Sequence, residues 1–119
     1  MEHLFFDSND DISCVAATVF GLLRVESILG QSSNVLNETY HDVSLFGVII
    51  RLEENCYDYE EQFRFMLSVK RDLSSNILVR ENDVLLVSRI IQHLLADNLG
   101  FDIAIEVGTS IERCSPIAE

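Results

Sequence analysis

The chain has 119 residues, of which 48% are hydrophobic, enough for one domain with a single core. Its 20 acidic residues outnumber its 8 lysines and arginines, which gives a formal net charge of −12. Such a charge repels nucleic acid and anionic membranes and attracts a basic partner. Every apolar stretch is far shorter than the roughly 20 residues that a membrane-spanning helix needs.

The negative charge is unevenly distributed along the chain. Residues 1–62 contain twelve acids and only two bases, whereas residues 63–119 contain eight acids and six bases. The sequence therefore predicts an acidic surface that belongs mainly to the first half. The alternative interpretation is that acidity only keeps a small protein in solution.

The cysteines and the first residues indicate the compartment. Cys14, Cys56 and Cys114 form no C-x-x-C pair, and an odd number argues against a complete disulfide framework. The first residues have no basic region and no long apolar run, so they do not resemble a secretory signal. A cytoplasmic, reducing environment is expected.

In chain order, the first predicted elements are a short strand and a helix. The strand covers residues 3–6, and Asp10 and Asp11 then supply negative charge at the amino end of the helix. Apolar residues keep near-helical spacing from Ile12 to Ile28, and Gly30 is the expected stop. The β-branched residues in this stretch leave a strand as the alternative. Residues 31–42 are polar and are predicted to be a loop.

Two strands joined by a hairpin are predicted next. The first, Val43 to Leu52, is apolar on both faces, which implies cover on both sides or a partner surface. The second, Tyr57 to Val69, shows the clearest period of two in the chain. Its predicted core face comprises Tyr57, Tyr59, Phe63, Phe65, Leu67 and Val69, and its predicted solvent face comprises Asp58, Glu60, Gln62, Arg64 and Ser68.

A second helix and a last strand complete the predicted domain. Asn82 and Asp83 are candidate caps, and Gly100 is the expected end. The side chains predicted to face inward are Val84, Val87, Ile90, Ile91, Leu94 and Leu95, while Arg89, Gln92, His93 and Asp97 are assigned to water. The last strand, residues 101–107, again alternates apolar and acidic residues. Residues 1–108 are thus predicted to form the domain, and residues 109–119 a flexible tail.

This order of elements predicts the fold class. Strand, helix, strand, strand, helix, strand is the βαββαβ order of ferredoxin-like domains, so we expect a single α+β domain with an antiparallel sheet and two helices. In that arrangement the strand from Tyr57 to Val69 is central. Asp58, Glu60, Asp102 and Glu106 would then lie on the sheet face that the helices leave uncovered.

No catalytic or metal-binding motif accompanies these elements. His3, His41 and His93 fall in different elements, and no H-E-x-x-H, G-x-S-x-G or glycine-rich phosphate loop is present. Cys14 is predicted to be a core residue, and Cys56 lies among carboxylates that disfavour its thiolate. Phe63 and Phe65 have the spacing of RNA-binding aromatics but lack basic neighbours. No cofactor, metal or enzyme activity is therefore predicted.

The remaining candidate site is an acidic segment that interleaves carboxylates with tyrosines. Tyrosine is favoured at interface hot spots, and carboxylates pair with a partner's lysines and arginines. The predicted partner-binding residues of this acidic segment are Glu53, Glu54, Tyr57, Asp58, Tyr59, Glu60 and Glu61.

In size, acidity and lack of a catalytic motif, the chain resembles the immunity proteins of bacterial toxin systems, including contact-dependent growth-inhibition systems. That resemblance implies a cytoplasmic inhibitor that binds and blocks a basic cognate toxin, such as a nuclease. The alternative is a small ligand-binding or regulatory domain that dimerises through the apolar strand Val43 to Leu52, with acidity serving only solubility.

Overall fold

The computed structural model describes residues 1–55, 63–107 and 110–114. Within these ranges the chain has two helices and one antiparallel sheet, which confirms the predicted α+β class. The elements are β1 (Glu2–Phe6), α1 (Ile12–Leu22), β2 (Ile28–Gln31), β3 (Leu36–Leu45), β4 (Val48–Glu54), β5 (Phe65–Arg71), α2 (Glu81–Leu99), β6 (Ile103–Val107) and β7 (Ser110–Cys114).

The sheet has the strand order β2-β3-β4-β5-β1-β6-β7. The inner strands β4-β5-β1-β6 and the two helices keep the predicted βαββαβ order, and β5 lies between β4 and β1 as expected of a central strand. Three further strands extend this arrangement, and of these only residues 43–45 of β3 fell within a predicted strand. The hairpin β2–β3 continues the sheet beyond β4, and β7 continues it beyond β6.

Both helices pack on one side of the sheet, here called the helix face. Its core contains Leu4 and Phe6 of β1 and Leu67 of β5, all fully buried, together with apolar side chains from both helices. Alternate residues of each strand point to this face because successive side chains point to opposite sides of a strand. Each such large side chain contributes about 1.5–3 kcal/mol when removed from water. The other side is called the open face.

Strand β5 follows the predicted alternation only in part. Phe65, Leu67 and Val69 enter the helix-face core as expected. Phe63, predicted on the same face, instead packs on the open face against Phe5, with ring centroids 5.9 Å apart. Ser68, predicted to face water, is buried, because β5 is a central strand with β1 paired along one edge and β4 along the other. Residues 57–62 of the predicted strand lie outside the described residues.

Helix α1 is shorter than predicted. It begins after Asp11, whose carboxylate accepts a hydrogen bond from the Cys14 N–H at 2.8 Å, and it ends at Leu22. Arg24 then has a positive φ of 58°, which turns the chain back towards the sheet. Ile28, counted with the helix because it kept the period, belongs to β2.

The predicted loop at residues 31–42 is mostly strand. Strand β3 pairs with β2 and β4 through residues such as Tyr40 and Asp42. Gly30 is therefore not a helix stop. A Cβ placed at Gly30 would lie 2.2 Å from Cζ of Tyr40, so the missing side chain makes room for that ring.

The predicted strand from Val43 to Leu52 is two strands. A two-residue turn at Phe46 and Gly47, with φ values of 51° and 82°, separates β3 from β4. Two consecutive positive φ values are typical of the tight hairpin turn that matches strand twist. The continuous apolar run concealed this turn.

Helix α2 ends as predicted, but it begins after Arg80, so the candidate caps Asn82 and Asp83 lie inside its first turn, and its buried side is rotated. It ends at Gly100, which has a φ of 71°, and the Asp83 carboxylate accepts from the Arg80 N–H at its beginning. Ile91 is buried as predicted, whereas Ile90 is exposed. Gln92, assigned to water, is buried and donates from Nε2 to the Ile103 carbonyl at 2.9 Å.

The end of the domain also differs from expectation. Ile103 and Ile105 of β6 are core residues, as the alternation predicted. Residues 110–114, placed by the sequence in the tail, form β7 and pair with β6. Residues 115–119 lie outside the described part of the chain. No helix in that described part is both long and apolar enough to cross a membrane.

Candidate binding surfaces

The first candidate surface is a polar cavity on the open face, with a volume of about 210 Å³. Neighbouring strands bring its side chains together because their residues lie opposite each other: Arg51 faces Ser68, and Ser68 faces His3. The cavity is lined by Met1, His3, Ile49, Arg51, Glu53, Met66, Ser68 and Lys70.

His3 and Ser68 form a polar contact in this cavity. Nδ1 of His3 lies 2.9 Å from Oγ of Ser68. Burial lowers the pKa of His3 below its ordinary value, and the nearby Glu106 carboxylate acts in the opposite direction. The imidazole is therefore favoured in its neutral form.

The contact has the residue types of a nucleophile and a base, and it lies within paired strands. Ser68 is buried in the middle of β5, whose backbone is paired on both sides with β1 and β4. Those ladder bonds occupy the N–H groups that an oxyanion hole would need. The contact between the hydroxyl and the imidazole fixes the orientation of both side chains.

Arg51 is held by two neighbours on the same face. Its Nη2 lies 3.1 Å from Oδ2 of Asp42, and its guanidinium carbon lies 3.9 Å from the centre of the Tyr40 ring. Its Nε is buried and has no hydrogen-bond partner among the described residues. Burial raises the pKa of the adjacent Glu53, and the positive charge of Arg51 partly offsets that effect.

The structure describes two residues of the acidic segment. Glu53 and Glu54 are the last residues of β4 and point to opposite sides of the sheet, since they are consecutive in a strand. Glu53 lines the polar cavity, whereas Glu54 accepts a hydrogen bond from Asn37 and lies 4.0 Å from the Arg64 guanidinium. Tyr57, Asp58, Tyr59, Glu60 and Glu61 lie outside the described residues.

The second candidate surface is an apolar cleft on the helix side of the molecule, with a volume of about 560 Å³. It lies between α2 and the turn of the β3–β4 hairpin. All but one of its lining residues are apolar, and the exception is Asp83: the set comprises Leu23, Leu45, Phe46, Val48, Ile50, Val79, Asp83, Val87, Ile90, Ile91 and Leu94.

Exposed apolar side chains continue outwards from this cleft. Phe46 at the hairpin turn is 77% exposed, and Ile90 and Leu94 on α2 are 52% and 39% exposed. The predicted inward orientation of Ile90 and Leu94 is therefore wrong. The sequence signal for their exposure is the width of the apolar arc on α2, which includes Leu86 and is wider than one sheet can cover.

The histidines and the described cysteine Cys14 are further candidates for parts of a chemical site. His3, His41 and His93 lie on β1, β3 and α2, and no group of three metal-ligating side chains occurs within residues 1–55, 63–107 and 110–114. Cys14, predicted to be in the core, is exposed on α1. The negative charge of Asp10 raises its pKa, so a reactive thiolate is disfavoured there.

Comparison of the chain with known protein families, with characterised proteins and with solved structures found no match. What the geometry defines is an antiparallel α+β domain with a small polar cavity on one face of its sheet and a larger apolar cleft on the other.

Proposed function

We propose that this chain is a non-catalytic, cytoplasmic immunity or inhibitor protein that binds and neutralises a basic cognate toxin, such as a nuclease. The observation that carries the proposal is a net charge of −12 on a domain that also exposes a continuous apolar surface around Phe46 and Ile90. Charge accelerates encounter with a basic protein, and desolvated apolar side chains provide the affinity.

The acidic segment is the proposed site of first electrostatic contact. Its carboxylates would pair with lysines and arginines of the toxin, and its tyrosines would contribute anchoring contacts. Glu53 and Glu54 diverge to the two sides of the sheet edge, so a partner that contacts both must approach the end of β4 rather than one face.

The experiment is coexpression with the product of an adjacent toxin-like gene. Protection of the host cell and copurification of a basic protein are the expected results. In kinetic measurements the double variant Glu53→Lys with Glu54→Lys should slow association. The matched double variant Asp102→Lys with Glu106→Lys makes the same change in net charge on β6 and its preceding turn.

Two results would count against this proposal. Full toxicity in the presence of a stable complex would show that binding does not neutralise the partner. An equal loss of association rate in both double variants would show that only net charge matters and that the acidic segment is not the contact site.

The alternative is a small ligand-binding or regulatory domain. The observation that favours it is the polar cavity, where the buried Nε of Arg51 lacks a hydrogen-bond partner among the described residues. Residues 48–52 of β4 already pair with β3 on one side and with β5 on the other, so a dimer of this alternative would not form by edge pairing through that part of the predicted strand. A small anion that shifts the NMR signals of His3 and Lys70 at micromolar concentration would support it.

A further inference from the structure

Helix α2 carries a second apolar stripe beside the one that packs on the sheet. Leu86, Ile90 and Leu94 are 59%, 52% and 39% exposed. They are spaced four residues apart, so they form one ridge along the helix, about 12 Å long at 1.5 Å per residue. A helix whose apolar residues exceed what its own domain covers is expected to bury the remainder against another surface.

The cleft beside this ridge has a wall with an unusual backbone. Phe46, at its rim, has a φ of 51°, a conformation that is rare for a bulky side chain. The side chain of Val79 packs closely against this turn, since a Cβ on Gly47 would lie 2.6 Å from Cγ2 of Val79. Unfavourable backbone geometry that is held by its surroundings is a pointer to function.

Carboxylates flank the ridge. Asp83 lines the cleft near the beginning of α2, and Asp97, about four turns later, projects from the same side of the helix. Arg89 projects from another side of the helix and forms a salt bridge with Glu112, in which Nη2 of Arg89 lies 2.7 Å from Oε2 of Glu112. The apolar ridge therefore has negative charge near both ends.

We propose that this cleft receives an amphipathic helix of the basic partner, with its apolar face against Phe46, Ile90 and Leu94 and its lysines or arginines near Asp83 and Asp97. The inference rests on the proposed function, because that function supplies a basic partner. Side chains at four-residue spacing form ridges that pack into the grooves of another helix, which favours a helical occupant. A second copy is disfavoured, since it would bring a further charge of −12.

The probe is a synthetic helical peptide of leucine and lysine with its leucines on one face. Two comparison peptides are a scrambled sequence of the same composition and a version with glutamate in place of lysine. Fluorescence anisotropy at one salt concentration measures binding. We expect the amphipathic leucine–lysine peptide to bind at least about tenfold more tightly than either comparison peptide, a difference of about 1.4 kcal/mol.

Variants then test the location. The double variant Ile90→Ser with Leu94→Ser should weaken binding at least about tenfold. The matched control, Ile28→Ser with Leu29→Ser, removes two exposed apolar side chains from edge strand β2 and should leave binding unchanged. Phe46→Gly should weaken binding without lowering the urea midpoint, since glycine accepts a positive φ.

Each contrary outcome overturns a distinct statement. An equal loss of binding in the β2 control variant would show general apolar adhesion and would overturn the docking site. Equal binding of the scrambled peptide would do the same. The proposal that the chain binds a basic partner would be unaffected by either result. Equal binding of the glutamate peptide would overturn the charge requirement at the cleft, whereas the proposed function, whose first electrostatic contact lies at the acidic segment, would be judged by the coexpression experiment. Self-association of the chain that Ile90→Ser with Leu94→Ser abolishes would assign the cleft to a second copy instead.

Discussion

The ring of Tyr40 lies where a side chain at position 30 would stand, and this makes a single glycine important for the sheet. An added Cβ at Gly30 would meet two ring carbons and the hydroxyl oxygen of Tyr40 at distances between 2.2 and 2.5 Å. The ring would have to leave its place, and its contact with the Arg51 guanidinium would be lost. Gly30→Ala should therefore lower the free energy of unfolding by about 1–3 kcal/mol, the usual cost of overpacking.

A matched control for this first prediction is Gly21→Ala. Gly21 lies within α1, and no atom comes within 4 Å of a Cβ placed there. Alanine should stabilise that helix by about 1 kcal/mol relative to glycine. Urea unfolding of both variants tests the pair, and the prediction fails if Gly30→Ala unfolds at or above the wild-type midpoint.

His3 provides a prediction about pH. Because burial lowers its pKa in the folded protein, the unfolded chain takes up a proton at higher pH than the folded one does. The stability that depends on neutral His3 is therefore present above the ordinary pKa of 6.5 and is lost as the pH falls from that value towards the folded pKa.

The measurement compares wild type with His3→Gln, whose amide can still hydrogen-bond Ser68. Urea midpoints are recorded on both sides of pH 6.5. Wild type should lose more stability than the variant as the pH falls, so the difference between them should change with pH. A constant difference would mean that the pKa of His3 is the same in the folded and unfolded chain.

At the scale of elements, α2 offers two adjacent isoleucines with opposite environments. Ile91 is buried against the sheet and Ile90 faces the cleft. Ile91→Ala should cost about 2–5 kcal/mol, the range for a large buried side chain. Ile90→Ala should cost less than about 1 kcal/mol, since the side chain is half-exposed. Equal losses in urea unfolding would place both residues in the core and remove the basis for a docking ridge.

The same helix shows what the sequence could and could not predict. Its presence followed from a long apolar period and its end from Gly100, which are local signals. Its buried side did not, because Ile90, Ile91 and Leu94 are equally apolar, and only contact with the sheet decides which of them is covered. Gln92 is polar and is therefore expected to face water. It can be buried because its Nε2 donates a hydrogen bond to the Ile103 carbonyl.

The strands show the same limit. The central β5 could be recognised from its alternation. Strand β3 is polar enough to be predicted as a loop, since it belongs to the half of the sheet that the helices cover least, and Ile28 of β2 was assigned to helix α1 because it kept the helical period. The first position of the hairpin turn is Phe46, and phenylalanine is not one of the residues that favour such a turn. The apolar cleft depends on this turn, and so it could not be predicted from local patterns.

At the scale of the whole molecule, the net charge of −12 should make added salt act in opposite directions on the stability of the chain and on its rate of association with a basic partner. Like charges repel within the compact chain, so screening them should raise the urea midpoint. The same screening weakens steering of a basic partner, so the association rate should fall. Raising salt from about 0.01 M to about 1 M shortens the screening length from about 30 Å to about 3 Å, a range that separates both effects.

The dissociation rate distinguishes charge from the apolar cleft in the same experiment. Apolar contacts at the cleft are not weakened by screening, so the dissociation rate of the leucine–lysine peptide should change far less with salt than its association rate. Stopped-flow mixing with this chain and with its Ile90→Ser, Leu94→Ser variant measures both rates. The variant should dissociate faster at every salt concentration while keeping the wild-type salt dependence of association. If the variant instead loses that salt dependence, the cleft and the electrostatic steering are not separate contributions to binding.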